Sequence, residues 1–557
     1  MNSKNVEDLA KVLLINPPLW YYQSVPPDVT AAAALLHNNN IEFEIRDLNL
    51  ESFHYLFRDH PEVVAQLTDN RYFYNFATLQ QTYQRINQMY DRVNEYISPS
   101  VLRWNQFDSA IDLRDLSEVL SLATQRIGNP YFDFFNSLLP ELVPADVRIV
   151  AISIYHPDQV VPLFTLTSLL KEHHPHLHIH IFGNLEDQIN TRILVKNFPA
   201  SDLQLLFSYV DSIGLDNDHY RLSELVQAVY RKSDLNELPS LFTERQLHPD
   251  FEIIKDHHYT DKLTLPVLSS IPASGLMPKD VLNVAASVSC YWKGCTYCSI
   301  KMHGEYQKDS IENILQMMES FSNQERFAVL RFRDCCISPG DLKRIANEII
   351  RRKLIVSWSC RARLEKEFNP QLFELLKRAG CIMISFGIET FDPRVSQMMN
   401  KGIDLTYASV LIKSCYEAGI AVKLTAMVGF PTETIEESLA NQEQLRSLFP
   451  YCIDIRYNRF ILFENSRIAL EPDHYSIQKH PFNDRQHLQF FCEFSRESGM
   501  TQAEADRIAD DFDKKIREVY SLFLSEEHLL LYLKEFGLPS CMNLVNTETQ
   551  QEKERRI

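Results

Sequence analysis

The first half of this 557-residue sequence contains no cysteine. All eleven cysteines lie at or after position 290, in a chain whose hydrophobic content, 45%, is ordinary for a packed globular protein. Proteins of oxidising compartments more often carry paired cysteines throughout. The distribution therefore favours a reducing compartment and cysteines used for metal binding, in a chain long enough for about three domains.

Long apolar segments are also missing. Residues 1–11 contain no apolar core of the kind found in signal peptides, and no uninterrupted apolar run reaches the length that spans a membrane. From these absences we expect a soluble, cytoplasmic protein without a membrane partner.

Positive charge is in deficit. The formal net charge is -18 at pH 7, whereas nucleic-acid-binding proteins concentrate Lys and Arg on their surface. A nucleic-acid substrate, tRNA included, is therefore disfavoured, although a local basic patch is compatible with a negative total.

One group of cysteines has the spacing of a metal-binding motif. Cys290, Cys295 and Cys298 form a C-x4-C-x2-C triplet directly after the strand-like stretch 284–288. A 4Fe-4S cluster normally takes four thiolates, so a triplet with no fourth cysteine close by would leave one iron open for a small-molecule ligand. The alternatives are free cysteines in a strand-to-helix loop and a structural zinc site, which usually needs a second pair of ligands that is missing here.

The N-terminal region, 1–237, alternates between strand and helix patterns. Strand patterns occur at 11–16, 41–48, 148–154 and 178–182, helical patterns at 28–40 and 158–173, and a further unit at 205–215; a helical insertion is expected at about 53–139. This order predicts an α/β fold with a parallel, doubly wound, Rossmann-like sheet, in which ligands bind at the carboxyl ends of the strands.

A proline-rich linker at 238–280 precedes a second β/α series. Six strand patterns predict a partial (β/α)6 barrel over 281–470, with its site at the carboxyl ends of strands at 284–288, 327–332, 355–360, 382–386, 421–427 and 454–460. A helical C-terminal domain is expected over 471–545, with a capping box from Thr501 to Glu504. Residues 546–557 are expected to form a disordered polar tail.

The cysteine triplet resembles the cluster-binding loop of the radical SAM superfamily. The usual spacing there is C-x3-C-x2-C, so this chain has one more residue in the first gap, and it keeps an aromatic residue, Tyr297, before the third cysteine. The segment 385–390 (Ser-Phe-Gly-Ile-Glu-Thr) with 394–402 resembles the family's Gly-x-Glu-Ser segment and its following helix. The turn at 429–434 resembles Gly-x-Pro-Gly-Glu-Thr, with Thr432 in place of Gly.

The N-terminal region resembles the cobalamin-binding domain that precedes the barrel in a large branch of that superfamily. The resemblance rests on Asn16-Pro17-Pro18, the alanine-rich helix, the turn at 47–49, Ser153-Ile-Tyr-His-Pro and the segment 210–214. It implies cobalamin contacts from Pro17, Pro18, Ser153, Tyr155, His156, Gln159, Gly183 and Gly214.

Three elements of the cobalamin domain are altered. The Asp-x-His-x-x-Gly element, which gives the cobalt-ligating histidine of other cobalamin proteins, is absent from the sequence; a Gly-Gly pair is replaced by Gly183-Asn184, and an acidic turn by residues 214–218. The resemblance therefore implies either cobalamin without a histidine on cobalt, or a domain that has lost the cofactor and serves packing or substrate docking.

For the barrel, the resemblance implies a 4Fe-4S cluster on Cys290, Cys295 and Cys298. It also implies S-adenosylmethionine bound against Tyr297, Asp334, Arg361, Glu389 and Gly429, each of which has an alternative interpretation as a helix cap or a rim salt bridge. No catalytic base is identified.

The implied function is that of a cobalamin-dependent radical SAM enzyme that methylates an unactivated carbon of a peptide or small metabolite. It would act through a 5'-deoxyadenosyl radical and methylcobalamin, with electrons from a flavodoxin- or ferredoxin-type donor. The same parts would also serve a rearrangement or cyclisation without methyl transfer. An alternative from another class is a non-catalytic iron–sulfur protein that senses redox state.

Overall fold

In a computed structural model of the chain, the structure describes residues 11–19, 27–104, 106–183, 200–214, 221–238, 241–244, 267–299, 306–464, 466–481, 491–520, 523 and 525–555. The chain divides into two compact units: unit 1, Met1–Pro278 with Phe482–Phe490, and unit 2, Lys279–Pro481 with Phe491–Ile557. Among the helices described, none combines the length and the apolar character that crossing a membrane requires.

Unit 1 contains a six-stranded sheet and a separate two-stranded hairpin. Its strands are β1 (Lys11–Asn16), β2 (Glu42–Asp47), β3 (Val101–Arg103), β4 (Gln106–Asp108), β5 (Ile149–Ser153), β6 (His178–Phe182), β7 (Ser212–Gly214) and β8 (Leu241–Phe242). Its helices are α1 (Pro27–Asn38), α2 (Leu48–Leu56), α3 (Pro61–Thr68), α4 (Asn70–Phe73), α5 (Phe76–Ile97), α6 (Leu116–Ala123), α7 (Phe132–Leu142), α8 (Val160–His173), α9 (Ala200–Leu206) and α10 (Leu222–Arg231).

The sheet of unit 1 has the order β2-β1-β5-β6-β7-β8. Pairing is parallel from β2 to β7, and β8 joins β7 antiparallel. Strands β1 and β5 are almost entirely buried, as expected when helices cover both faces of a parallel sheet. The predicted Rossmann-like fold is confirmed, while the edge strand β8 lies inside the segment that was expected to be a linker.

The insertion after β2 is not wholly helical. Strands β3 and β4 form a hairpin in which Leu102 pairs with Phe107. Each strand has three residues, which is too short for an alternating pattern to be recognised.

Unit 2 contains a six-stranded sheet and two short hairpins. Its strands are β9 (Asp280–Val284), β10 (Ser287–Val288), β11 (Gln307–Lys308), β12 (Phe327–Phe332), β13 (Trp358–Ala362), β14 (Cys381–Glu389), β15 (Ala421–Val428), β16 (Asp454–Arg459), β17 (Ile477–Lys479) and β18 (Phe494–Arg496). Its helices are α11 (Ile311–Ser322), α12 (Pro339–Arg352), α13 (Pro370–Arg378), α14 (Pro393–Met398), α15 (Leu405–Glu417), α16 (Ile435–Ser447), α17 (Arg467–Leu470), α18 (Gln502–Tyr520) and α19 (Glu526–Arg555).

The large sheet of unit 2 is all parallel, in the order β16-β15-β14-β13-β12-β9. This is the predicted partial barrel, with two corrections of strand bounds. The first strand begins at Asp280 rather than 284, and Ser287–Val288 pair separately with β11. Strand β13 begins at Trp358 rather than 355, because Ile355 is 90% exposed and does not belong to the core.

The C-terminal helices pack within unit 2 rather than as a separate unit. The predicted capping box is present: Glu504 N donates to Thr501 Oγ1 at 3.2 Å, and Thr501 N donates to Glu504 Oε2 at 2.8 Å. Helix α19 breaks at Gly537, whose φ of 75° only glycine adopts readily. It then continues to Arg555, so the tail expected from 546 is helical there, in a segment rich in the good helix formers Glu, Gln, Lys and Arg.

Candidate active site

The three cysteines of the triplet lie in one loop that follows β10. Cys290, Cys295 and Cys298 are all half-buried. Within the described residues, no group of three His, Cys, Asp or Glu side chains is arranged to hold a metal ion. Three thiolates from one short loop are instead a donor set suited to an iron–sulfur cluster, which takes one thiolate per iron.

The cysteine loop is hydrogen-bonded to the segment that follows α14. Thr296 N donates to the carbonyl of Met399 at 3.0 Å. Asn400 Nδ2 donates to the carbonyl of Gly294 at 2.8 Å, and Trp292 Nε1 donates to the carbonyl of Asn400 at 3.1 Å. The two segments are more than a hundred residues apart in sequence, so the conformation of the loop depends on the folded barrel.

Trp292 also fixes a cation beside the loop. Its ring packs so closely on Gly402, whose φ is 66°, that a Cβ there would lie 2.2 Å from Cζ2. The guanidinium carbon of Arg363 lies 4.1 Å from the Trp292 ring centroid, a cation–π contact. Arg363 Nη2 donates to the carbonyl of Lys401 at 2.5 Å. These contacts hold a positive charge next to the cysteines.

Glu389, Lys401 and Tyr297 form a buried polar group at the carboxyl end of β14. Lys401 Nζ lies 2.9 Å from Glu389 Oε1 and donates to the Tyr297 hydroxyl at 3.0 Å. Burial lowers the pKa of Lys401, but Glu389, Tyr297 and Cys295 together outweigh burial, and the pKa lies well above its usual value. Glu389 has a φ of 63° and is 8% exposed; its backbone conformation is one that few non-glycine residues adopt.

Asp334 and Arg361 lie at the ends of neighbouring strands. The Asp334 carboxylate is buried and accepts hydrogen bonds from Ala286 N at 3.0 Å and from the Ser287 hydroxyl. It therefore orders the chain just before the cysteine loop. Arg361 on β13 is half-buried and pairs in register with Ser385 on β14.

The turn after β15 is built around Gly429 and Glu433. Gly429, with a φ of 77°, donates its N–H to Glu433 Oε2 at 2.7 Å, and its carbonyl accepts from Arg496 Nη2 at 2.7 Å. Burial raises the pKa of Glu433 to about 8. Thr432 has a φ of 70°. Glycine adopts such a backbone conformation most readily, and the Gly-x-Pro-Gly-Glu-Thr turn that this segment resembles has glycine at this position.

A fourth cysteine, which was not predicted from the sequence, lies beside the triplet. Cys336 follows β12 and is 3% exposed, and its Sγ lies 3.2 Å from Cys290 Sγ. The hydrogen bond between Cys290 and Cys336 is the main cause that lowers the pKa of the Cys290 thiol to about 6, against the effect of burial. The sequence feature that could have indicated this cysteine is the adjacent pair Cys335-Cys336, which follows a strand at the end of the barrel where active sites occur.

Charges inside unit 2 are neutralised by the start of α19. Arg331 on β12 contacts Glu526 Oε1 at 2.7 Å and Glu527 Oε1 at 2.6 Å, and Lys423 on β15 also pairs with Glu526. Although burial raises the pKa of Glu526, the two cations hold it well below its usual value.

Two polar side chains flank Arg331 in the sheet. Asn283 on β9 and Ser359 on β13 pair with Arg331 in register. The described residues offer no hydrogen-bond partner to the amide of Asn283 or to the Ser359 hydroxyl, and both residues are buried. Such groups normally have a partner, so the arrangement suits a polar ligand or ordered water.

In unit 1, Gln159 joins the carboxyl ends of β1 and β5. Its Oε1 accepts from Tyr155 N at 2.6 Å and from His156 N at 2.9 Å, while its Nε2 donates to the carbonyl of Pro17 at 2.8 Å. Ser153, at the end of β5, is fully buried, and its hydroxyl has no partner among the described residues. Gln159 thus fixes the backbone at this edge of the sheet. The Ser153 hydroxyl at the same edge is available to bind a ligand.

The other predicted cobalamin residues lie at the same sheet edge. Gly183 follows β6, and a Cβ there would meet the carbonyl oxygen of Ile154 at 2.1 Å, so only glycine fits. Gly214 is the last residue of β7, and Pro18 follows β1. Asn184 and residues 215–218 lie outside the described residues.

His156 is oriented by the residue two positions later. Its Nδ1 accepts a long hydrogen bond of 3.4 Å from Asp158 N. Burial lowers the pKa of His156, with Asp158 opposing, so the ring is neutral near pH 7. The carboxylate oxygen Oδ2 of Asp158 lies 3.7 Å from the same ring nitrogen.

Comparisons with known proteins agree with this architecture. Residues 287–441 match the Radical SAM superfamily. Among curated proteins, an "uncharacterized methyltransferase PH0819" of Pyrococcus horikoshii is 24% identical over 204 residues, which cover 34% of this chain and 43% of that protein. The match thus spans less than half the length of this relative.

Solved structures extend the likeness to nearly the whole chain. The radical S-adenosylmethionine methyltransferase TsrM of Kitasatospora setae, solved with cobalamin and a [4Fe-4S] cluster, has a TM-score of 0.58 at 14% identity, over 98% of this chain and 99% of its own. The cobalamin-dependent S-adenosylmethionine radical enzyme OxsB has a TM-score of 0.58 at 10% identity, over 99% and 81%. At such identities the likeness concerns the fold, and it confirms the resemblance predicted from the motifs.

Proposed function

We propose that this chain, which carries a radical SAM domain at 287–441, is a cobalamin-dependent radical SAM enzyme that methylates an unactivated carbon of a peptide or small metabolite. Bound together, the cluster, S-adenosylmethionine and cobalamin would supply a 5'-deoxyadenosyl radical for hydrogen abstraction and a cobalt-borne methyl group. The protein's own task is to bind, orient and exclude water.

The observation that carries the proposal is the cysteine loop at the carboxyl end of a partial barrel. Cys290, Cys295 and Cys298 supply three thiolates, and the charges of Arg363 and Lys401 are held close to the loop. Positive charge beside a cluster favours the added electron on reduction. We expect that electron to come from a flavodoxin- or ferredoxin-type donor.

We place S-adenosylmethionine between the cysteine loop and the strand ends of unit 2. Tyr297 and Glu389 would face it from the group built around Lys401, and Arg361 would line the end of β13. The main chain at Gly429 would lie near the adenine. Asp334 would act mainly as a positioning residue, since its carboxylate is engaged by Ala286 N and Ser287.

We place cobalamin at the carboxyl edge of the sheet in unit 1. The unpartnered Ser153 hydroxyl and the backbone shaped by Gln159 fit a ligand that lies across the strand ends. Pro17, Pro18, Tyr155, His156, Gly183 and Gly214 would complete the contacts. Two of the similar proteins are described as methyltransferases, which supports methylation over rearrangement.

The test uses anaerobically reconstituted full-length protein with cobalamin, S-adenosylmethionine carrying a CD3 methyl group, a reductant and candidate substrates. A methylase should yield product with an intact CD3 group, together with equimolar 5'-deoxyadenosine and S-adenosylhomocysteine. A product of unchanged carbon count, or 5'-deoxyadenosine without S-adenosylhomocysteine, would assign a rearrangement instead. Absence of any cleavage of S-adenosylmethionine would leave the redox-sensor alternative.

A further inference from the structure

We infer that Cys336 donates an S–H hydrogen bond to the Cys290 thiolate of the cluster site and thereby raises the reduction potential of the cluster. The inference rests on the proposed function, because it presupposes a cluster on the triplet. Cys336 would be a positioning and tuning residue, distinct from the three ligands.

The contact between the two sulfurs is direct. Cys290 Sγ and Cys336 Sγ are 3.2 Å apart, well beyond the S–S bond of about 2.05 Å in a disulfide. At this separation one sulfur donates a hydrogen bond to the other, and Cys S–H is a weak donor. Cys290 belongs to the triplet and Cys336 does not, so the donor is Cys336.

Hydrogen bonds hold Cys336 in this place. Arg333 N donates to the carbonyl of Val284 at 2.7 Å, and Ile337 N donates to the carbonyl of Arg361 at 3.0 Å. The chain before and the chain after Cys336 are therefore each hydrogen-bonded to a neighbouring strand. With 3% of its surface exposed, the side chain has little freedom to turn away from Cys290.

The physical consequence concerns the charge of the cluster. Reduction adds one negative charge, part of which is carried by the ligating thiolates, and hydrogen bonds to these sulfurs stabilise the reduced form. No covalent bond forms or breaks, and the proton stays on Cys336 in both states. Removing the donor makes reduction harder.

The experiment measures the midpoint potential of the reconstituted full-length protein by an electron paramagnetic resonance redox titration. Cys336→Ala should shift the potential to more negative values, and Cys336→Ser, which keeps a donor, should lie between Ala and wild type. Cys335→Ala is the matched control, because Cys335 is the adjacent, half-buried cysteine; it should match wild type.

Several results would overturn the inference. An unchanged potential in Cys336→Ala, or an equal shift in Cys335→Ala, removes the specific role of Cys336. A shift to more positive potential, or loss of iron from Cys336→Ala, would identify Cys336 as a ligand of the cluster instead. A wild-type protein that assembles no cluster would refute the proposed function, and is recognised before any variant is compared.

Discussion

Lys401 and Glu389 form an ion pair in the interior of unit 2, with Nζ 2.9 Å from Oε1 and side chains that are 9% and 11% exposed. The same ammonium group donates to the hydroxyl of Tyr297 in the cysteine loop. One cation therefore links the end of β14 to the loop that carries the candidate cluster ligands.

Removal of this cation should destabilise the fold. We expect Lys401→Met to lower the free energy of unfolding by about 3–5 kcal/mol, because Glu389 is left buried and uncompensated. The double variant Lys401→Met with Glu389→Gln should recover part of the loss. Urea denaturation measures both losses. The control is Glu348→Gln, which breaks the exposed pair with Arg351 and should cost much less, because water screens the charges of exposed pairs. Equal losses in the single and double variants would contradict the interpretation.

The three cysteines of the triplet should bind the iron of the cluster. Replacing Cys290, Cys295 and Cys298 together by Ala should abolish the 4Fe-4S cluster and the cleavage of S-adenosylmethionine, whereas Cys415→Ala and Cys541→Ala, at buried positions away from the loop, should abolish neither. Iron and sulfide analysis measures the cluster, and detection of 5'-deoxyadenosine measures the cleavage of S-adenosylmethionine. If the triple variant keeps its iron and its cleavage activity, the assignment is wrong.

Bound cobalamin should carry no protein nitrogen on cobalt. The sequence lacks the Asp-x-His-x-x-Gly element, which supplies the cobalt-ligating histidine of other cobalamin proteins. The electron paramagnetic resonance spectrum of the Co(II) form should be base-off, without nitrogen superhyperfine splitting, and His156→Ala should not change it. A splitting that is lost in His156→Ala would show that this histidine ligates cobalt, and a failure to bind cobalamin would exclude the methylation mechanism.

Glu433 should make stability depend on pH. Its pKa rises from 4.5 to about 8 on folding, so between these values the folded state binds more protons than the unfolded state. Stability from this group is present below about pH 4.5 and is lost as pH rises through about 8, at up to about 1.4 kcal/mol per pH unit.

The matched variant is Glu433→Gln, which cannot ionise but keeps an oxygen for the N–H groups of Gly429 and Phe430. Urea denaturation from about pH 5 to about pH 9 should give a smaller decline for Glu433→Gln than for wild type, with the two curves parallel above about pH 8. Parallel curves over the whole range would refute the raised pKa.

Long, continuous apolar strands were predictable from sequence. β1 and β12 occupy the predicted positions because buried parallel strands are mostly apolar. β6 also lies where it was predicted, although His178 and His180 interrupt its apolar residues. The strand before the cysteine loop was placed too late, because Ser287 and Val288 have the same apolar, strand-like appearance as β9 but pair with a different partner.

The triplet itself could be recognised, because its three members are close in sequence. The contact between Cys336 and Cys290 could not, since it depends on how β12 lies beside β9. Lys401 lies in a motif that resembles the family, yet its ion pair with Glu389 requires the tertiary arrangement. The predicted roles of Tyr297, Arg361 and Gly429 toward S-adenosylmethionine remain predictions.

The pairing of Arg331 and Lys423 with Glu526 and Glu527 has a consequence for synthesis on the ribosome. Both cations emerge with the strands of the barrel, whereas Glu526 follows Lys423 by 103 residues and Glu527 follows Arg331 by 196 residues. Until α19 has left the exit tunnel, Arg331 lacks both of these carboxylates, while Lys423 can pair only with Asp454. Completion of unit 2 is thereby postponed until the start of α19 has been translated.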